Sequence, residues 1–348
     1  MVCEPPLVAT APSTSSLRIG PARPSDFAGI ADLYEQTFVV AQRSSPRPAA
    51  VWDWLYRRAP NGVFASVAVD PQGRVLAHFA AIPLRAHVGA RECTFALGLD
   101  SMVHPSARSG LAHGTLFVRT AESYFARFGR PDLCHATYGL PNRDALRIGR
   151  ARLGYEVLAA PVVALFHNSC AQRQDERFDM RPLAARRIVP VARYSPEADE
   201  LWAELAAEPG CGLVRDQRYL NWRFADAPLP YRCLEVRNRD RLCGVAVLRE
   251  NWCGAPILAI VELQAAADDR PTLAAVLRHA VAQAYVSRMH RVELWLPAHG
   301  RLAASARALG FAAEPSPATL CVRLHAPQPD LQWHREHWHY TIGDGDLF

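Results

Sequence analysis

The sequence predicts an α/β protein built as two tandem copies of one unit. Stretches with strand alternation and stretches with helical spacing follow one another along the chain. Their order runs once before a polar, irregular segment at residues 168–185 and largely again after it. Two short motifs return in matching places: Trp54-x-Tyr56-x-x-x-Pro60 as Trp222-x-Phe224-x-x-x-Pro228, and Leu153-Gly154-Tyr155 as Leu309-Gly310-Phe311. A long-period repeat of this kind outranks local patterning in reading a fold. At 348 residues the chain also has the length of about two domains.

The first residues, MVCEPPLVATAPSTSS, have neither a basic start nor an apolar run, and read as a disordered tail (1–16). Ser25 and Asp26 then start a helix with Phe27, Ile30, Leu33, Tyr34 and Phe38 at helical spacing. A short helix is expected over 50–58. Strands over 64–69 and 75–82 are joined by Asp70-Pro71-Gln72-Gly73, a good hairpin turn. A third strand covers 93–103, a helix 111–128, a strand 133–140 and a helix 142–153. Gly154 is placed to end that last helix, and one final strand is read over 157–166. The first domain is therefore drawn over 17–167 and a linker over 168–188. In the second domain, 189–326, a helix (196–205) precedes a hairpin across Asn238-Arg239-Asp240. A strand (257–264), a helix (271–288), a strand (292–296), a helix (302–308) and a strand (319–324) complete it. Residues 327–348 form a C-terminal tail expected to pack on the domains.

Composition narrows the function classes. Half of the residues are hydrophobic and 21% are charged, as in soluble globular proteins. No lysine is present, so no lysine serves as a base, Schiff-base former or phosphate clamp. The net charge of +5 is spread over scattered arginines, which speaks against a nucleic-acid surface. No stretch has the apolar length of a membrane span. The nine cysteines include no C-x-x-C pair, and buried thiols in a reducing cytoplasm are the expectation.

One stretch bears on chemistry: VHPSARSGLAHGTLF, Val103 to Phe117, where small residues crowd the opening of a helix. A helix start leaves backbone N–H groups unpaired and carries partial positive charge, and small residues let a phosphate approach. The alternative is a tight structural corner.

Together with LRIGPARPSDFAGIADLYEQTF (Leu17 to Phe38), LDSMVHPSARSGLAHGTLF and YGLPNRDALRIGRARLGYEV (Tyr138 to Val157), this element order resembles the GNAT (GCN5-related N-acetyltransferase) superfamily. The first copy matches over about 17–166. The second, about 190–325, matches in element order and in its ALGF close. The resemblance implies two GNAT-like domains, each a mixed, mostly antiparallel sheet flanked by helices. It also implies that acetyl-CoA, or another acyl-CoA, binds the first copy as co-substrate. The family motif R/Q-x-x-G-x-G/A is met by Gly110 and Ala112, with Arg108 one residue from the basic position. The implied cofactor-binding residues are Met102, Val103, Arg108, Ser109, Gly110, Leu111, Ala112, His113, Gly114 and Asn142. In the second copy Asp268 and Asp269 stand at the equivalent turn and would repel a pyrophosphate.

Acyl transfer to an amine needs a base and often an acid. The family's usual tyrosine position is Arg150 in the first copy and Ala306 in the second. Tyr138 is the candidate acid, with core packing as its other reading. Asp100 is the candidate base, or else a strand-edge hydrogen bonder. Asn142 is fully explained as an N-cap. Glu262 is a candidate substrate residue, projecting acid into a cleft or pairing with a buried arginine. His334, His337 and His339 suggest a metal, yet aromatic packing of the tail is the default and no metal is expected. The leading function is an acyl-CoA-dependent N-acyltransferase acting on a small-molecule or peptide amine. The chain would be a cytoplasmic monomer or homodimer, without nucleic-acid or membrane partners. An aminoacyl-tRNA-dependent transferase and a non-catalytic binding or assembly module are the alternatives.

Overall fold

The computed structural model describes residues 17–40, 45–108, 113–159, 163–168, 186–206, 210–266, 268–297, 300–316 and 318–346. The first pass runs β1 (Arg18–Pro21), α1 (Phe27–Tyr34) continued by a π-turn (Glu35–Val39), α2 (Ala49–Tyr56), β2 (Phe64–Val69), β3 (Val75–Val88), β4 (Arg91–Val103), α3 (His113–Phe128), β5 (Ala136–Gly139), α4 (Arg143–Arg152), β6 (Glu156–Ala159) and β7 (Val163–Asn168). The second runs β8 (Arg187–Pro190), α5 (Glu197–Leu205), β9 (Cys211–Leu213), α6 (Gln217–Leu220) continued by a π-turn (Asn221–Ala225), β10 (Arg232–Asn238), β11 (Arg241–Arg249), β12 (Ile257–Ala265), α7 (Arg270–Val286), β13 (Arg291–Trp295), α8 (Arg301–Ala308), β14 (Ala312–Pro315) and β15 (Leu320–Leu324). A last helix, α9 (Leu331–His337), begins the C-terminal segment.

The turn chemistry read from the sequence operates as expected. The Asp70 carboxylate accepts from the Gln72 and Arg74 N–H groups at 3.0 and 2.8 Å, and Gly73 takes φ +82°. Gly154 and Gly310, equivalent in the repeat, both take positive φ (+65° and +92°) just past α4 and α8.

Two sheets result. Their strand orders are β1-β2-β3-β4-β5-β15-β6, with β9 beside β3, and β14-β7-β13-β12-β11-β10-β8. The parallel pairs β4–β5 and β12–β13 occupy corresponding places. Around them the pairs β1–β2, β10–β11, β11–β12, β5–β15 and β7–β13 are antiparallel.

The two orders reveal a reciprocal strand exchange. β7, from the first copy, lies between β13 and β14 of the second sheet; β15, from the second copy, lies between β5 and β6 of the first. This corrects the single strand expected over 157–166, which is two strands in different sheets. A short link between two antiparallel strands ordinarily closes a hairpin in one sheet. Here equivalent strands fit equivalent slots, so exchanging them preserves every ladder.

Packing divides the chain into two compact units that do not follow the repeat: Met1–Pro46, Phe64–Ala80 and Asp100–Phe128 in one; Arg47–Val63, Ala81–Leu99 and Gly129–Phe348 in the other. In the first, Leu116 of α3 packs with Ala68, Leu76 and Ala77, and Phe79 meets the rings of Phe117, Tyr124 and Phe125. In the second, one core joins Phe95, Leu97, Tyr138 and Val322 to Val245, Val247, Ala259 and Val261. A separate core sets Leu258, Ile260, Val292 and Leu294 against Leu273, Val276, Leu277 and Ala280 of α7. Residues 258–261 thus alternate between two cores, so β12 is apolar throughout because both its faces are covered.

Candidate active site

In the first unit, β4 ends in a distorted stretch. Asp100 is a buried non-glycine residue at φ +46°, an uncommon conformation that marks a local break in the strand. Its carbonyl accepts from Nδ1 of the buried His78 at 2.7 Å. Met102 is buried, and the Val103 carbonyl accepts from Arg108 Nε at 3.0 Å. The chain then takes one 3₁₀ turn (Pro105–Ala107), capped by the His104 ring accepting from Ser106 N–H. Ser109, Gly110, Leu111 and Ala112 lie outside the described residues. His113 and Gly114 are the first residues of α3.

In the second unit, β4 and β5 pair only over Phe95–Leu97 and Ala136–Tyr138. At the next residue the strands pass so closely that a Cβ on Gly98 would meet the Tyr138 carbonyl at 3.3 Å. A side chain there would press on that carbonyl, so glycine suits the position by contact rather than by dihedral angle. β4 runs on to Val103 without a β5 partner.

Tyr138 ends this paired stretch. It is 1% exposed, and among the described residues its Oη has no hydrogen-bond partner. Burial, reinforced by the Asp344 charge, pushes the phenol well above its ordinary range. Trp338 closes over it: the indole stacks on Phe95 with centroids 4.5 Å apart and meets Tyr138 edge-on at 5.5 Å.

The second unit also holds a buried charge cluster. Arg215 donates from Nε to Glu262 Oε2 at 3.1 Å and from Nη2 to Asp344 Oδ2 at 2.5 Å. Glu262 also accepts from Leu263 N–H at 3.0 Å and from the Thr341 hydroxyl at 3.3 Å. The Thr341 N–H donates to Asp344 Oδ2 at 2.8 Å. A second buried arginine, Arg223, donates to the Gly343 and Gly345 carbonyls at 3.1 and 3.0 Å. Burial raises the pKa of both carboxylates, with Arg215 opposing. Burial alone would lower Arg215, and the two carboxylates more than offset it. One-sided removal of such a pair strands a buried charge and typically costs about 3–5 kcal/mol.

Arg215 joins Glu262 to Asp344, and the Asp344 charge in turn acts on Tyr138, a candidate from the other copy. Glu262 follows its second reading, a strand carboxylate with a buried arginine. Asn142 caps α4, its Oδ1 accepting from Ala145 N–H at 3.0 Å. Arg150 lines an open cleft of about 700 Å³ with Arg143, Arg147 and Tyr155. In the second copy Asp269 caps α7 at Thr272 N–H (3.1 Å) and pairs with Arg186. The chain's own carboxylate thus fills the helix start where a phosphate would sit.

The tail histidines take separate partners. His334 Nε2 lies 3.0 Å from His135 Nε2, and the His337 ring stacks on Trp333. His339 is half-buried, and desolvation, with Arg215 and His87 nearby, lowers its pKa to about 3. Among the described residues no group of three or more His, Cys, Asp or Glu could hold a metal ion. The described cysteines are all free, and burial pushes Cys134 and Cys321 up to about 11. No described helix is long and apolar enough to cross a membrane.

Arg215, Arg223, Tyr219 and Asp344 escaped the sequence reading. Arginine is the chain's sole basic residue apart from histidine, so no one arginine stands out by type. Asp344 lies in a tail segment flagged for its histidines.

No family model matches the chain, and no curated protein sequence matches it. Solved structures do. A GCN5-related N-acetyltransferase from Anabaena variabilis superposes with TM-score 0.63 at 16% identity, covering 89% of this chain and 73% of that one. A conserved protein of unknown function from Enterococcus faecalis gives TM-score 0.64 at 12% identity, covering 90% and 74%. A tandem GNAT protein from the clavulanic acid biosynthesis pathway gives TM-score 0.55 at 14% identity, covering 90% of this chain and all of that one. The chain therefore has the GNAT fold, in a tandem arrangement. At these identities the likeness establishes fold; activity must be argued from the site.

Proposed function

We propose that the protein is an acyl-CoA-dependent N-acyltransferase that moves an acyl group, an acetyl group in the simplest case, from a CoA thioester to an amine. The observation that carries this reading is Tyr138, the last residue of β5 paired with β4, a buried phenol whose Oη has no partner among the described residues. A buried phenol of this kind can protonate a leaving thiolate. Met102 and Val103 would pair with the pantetheine arm. The turn from Arg108 to Gly114 would offer N–H groups to the pyrophosphate at the start of a 16-residue helix. Asp269 at the start of α7 favours a single donor site, in the first copy. The GNAT fold and the N-acetyltransferase name of the Anabaena structure support the same reaction class.

Calorimetry with acetyl-CoA on the wild type and on Gly110→Asp tests the reading. Saturable binding that weakens at least about tenfold in the variant is expected, a loss of about 1.4 kcal/mol. No binding of acetyl-CoA or longer acyl-CoAs by the wild type would favour the non-catalytic module.

A further inference from the structure

Two histidines from distant segments meet nitrogen to nitrogen. His135, just before β5, and His334, in α9, bring their Nε2 atoms to 3.0 Å. Their outer nitrogens fix where the protons are. An arginine only donates, and Arg91 Nη2 lies 3.1 Å from His135 Nδ1, so that nitrogen accepts. A carbonyl only accepts, and the Asp330 carbonyl lies 2.7 Å from His334 Nδ1, so that nitrogen carries its hydrogen. Both rings are therefore neutral, and His135 Nε2–H donates to His334 Nε2. All four ring nitrogens are in use.

One more proton has no place in this arrangement. On His135 it goes to Nδ1 and faces the Arg91 N–H. On His334 it goes to Nε2 and faces the His135 N–H. Either way two donors point at each other across a hydrogen-bond distance, and one contact is lost. The charges around the pair give a new cation little support. Arg91 and His325 face His135, and Asp330 and His337 face His334. Asp330 alone among these is acidic, and its carboxylate already accepts from the Trp333 N–H at 2.9 Å. Burial lowers the pKa of both rings. A group so depressed gives up its stabilisation as pH falls from about 6.5 toward the folded value.

α9 leans on this contact because it is short. It has seven residues, too few to keep a helix in water without packing. Arg335 ties it to β6, donating from Nε and Nη2 to the Val157 carbonyl at 3.1 and 2.9 Å. At its end the His334 carbonyl accepts from the Trp338 N–H at 2.9 Å, and Trp338 is the ring that covers Tyr138. Just beyond, the His339 N–H donates to the Cys211 carbonyl at 2.8 Å and bounds the segment.

We propose that His135 and His334 form an acid-released clasp: proton uptake by the pair frees α9 from the start of β5 and loosens the Trp338 cover on Tyr138, while the rest of the fold stays closed. At neutral pH the clasp is shut. The device stands apart from the acyl-transfer reading; where that reading holds, it ties exposure of the candidate acid to pH.

The test is amide hydrogen exchange of the full chain, read by mass spectrometry as protection over α9 and, for comparison, over α7. Between about pH 7.5 and about pH 5, α9 protection should fall about tenfold or more while α7 protection holds. His334→Gln keeps an acceptor near the Nε2 position and takes up no proton, so its α9 should stay protected at both pH values. Steady α9 protection in the wild type overturns the proposal. So does an equal loss in His334→Gln, or a loss over α7 alongside α9, which is global unfolding. Should His334→Gln fail to fold, hydroxyl-radical labelling of the wild type decides. Labelling of Trp338 that rises over the same pH interval supports the clasp, and unchanged labelling overturns it. None of these readouts uses acetyl-CoA, so failure of the acyl-transfer reading leaves them intact.

Discussion

Trp54 and Trp222, equivalent positions in the two copies, touch in the core. The Trp54 indole N–H donates to the Trp222 backbone carbonyl at 2.7 Å across 168 residues of sequence, with the rings 5.7 Å apart. The relation is not reciprocal: among the described residues Trp222 Nε1 has no partner. A repeat detected by letters alone is thus also a contact, and its symmetry is broken at the indole nitrogens.

Trp54→Phe keeps most of the ring volume but leaves the buried Trp222 carbonyl without its donor. The expected loss is about 1–3 kcal/mol, read as a lower midpoint in urea with unchanged slope. Trp222→Phe removes a nitrogen that donates to nothing described, and should cost clearly less. Equal losses would show that the hydrogen bond contributes little.

Tyr138→Phe separates a catalytic phenol from a packing ring. Removing an unpartnered buried hydroxyl should leave stability unchanged or slightly improved. Turnover at saturating acetyl-CoA should fall by about two orders of magnitude or more if the phenol is the acid. Unaltered turnover would return Tyr138 to the core.

The tail should respond to acid. The His334 Nδ1 atom lies 2.7 Å from the Asp330 carbonyl and donates to it, so the neutral ring's Nε2 must accept from His135 Nε2–H. Burial first, then the His334 and Arg91 charges, lower His135 to about 4; burial also lowers His325 to about 4 and depresses His334. A depressed histidine contributes stability that is full above its unfolded pKa of about 6.5 and is lost as pH falls toward the folded value. The raised carboxylates Glu262 and Asp344 act with the opposite sign, so the whole-protein profile is a poor readout. The stability difference between wild type and His135→Phe isolates the effect. It should be steady above about pH 7 and shrink between about pH 6.5 and 4. A flat difference would remove the histidine pair from the account.

Gly154 and Gly310 give a paired test of the repeat. Both take φ values that favour glycine, and a Cβ meets nothing closer than 4.0 Å at Gly154. Alanine at Gly154 should therefore cost about 1–2 kcal/mol from backbone strain alone. Gly310, at the more extreme angle, should cost at least as much, both read by thermal or urea denaturation.

Much of the fold was legible because its signals are local. Asp70 and Gly73 announce their turn, Asn142 its helix, and Gly154 and Gly310 their helix ends. The exchanged strands were not, because β7 and β15 are short apolar runs that suit either sheet, and the rule favouring sequential hairpins pointed the wrong way. The site divides along the same line. Strand position singles out Tyr138 and Glu262 as polar groups on central strands, without giving either a role. Arg215 and Asp344 meet in a contact spanning 129 residues, and no spacing rule reaches that far.

The exchange of β7 and β15 also changes what it means to cut this chain in two. Cleavage within 169–185 would yield two fragments, each carrying a strand that belongs in the other's sheet. Such fragments are mutual hostages: neither is complete alone, and each holds the other by a full set of ladder hydrogen bonds on both sides of a strand. A duplicated gene whose halves have come to this arrangement can no longer lose one half and keep the other, even if only one still binds a substrate.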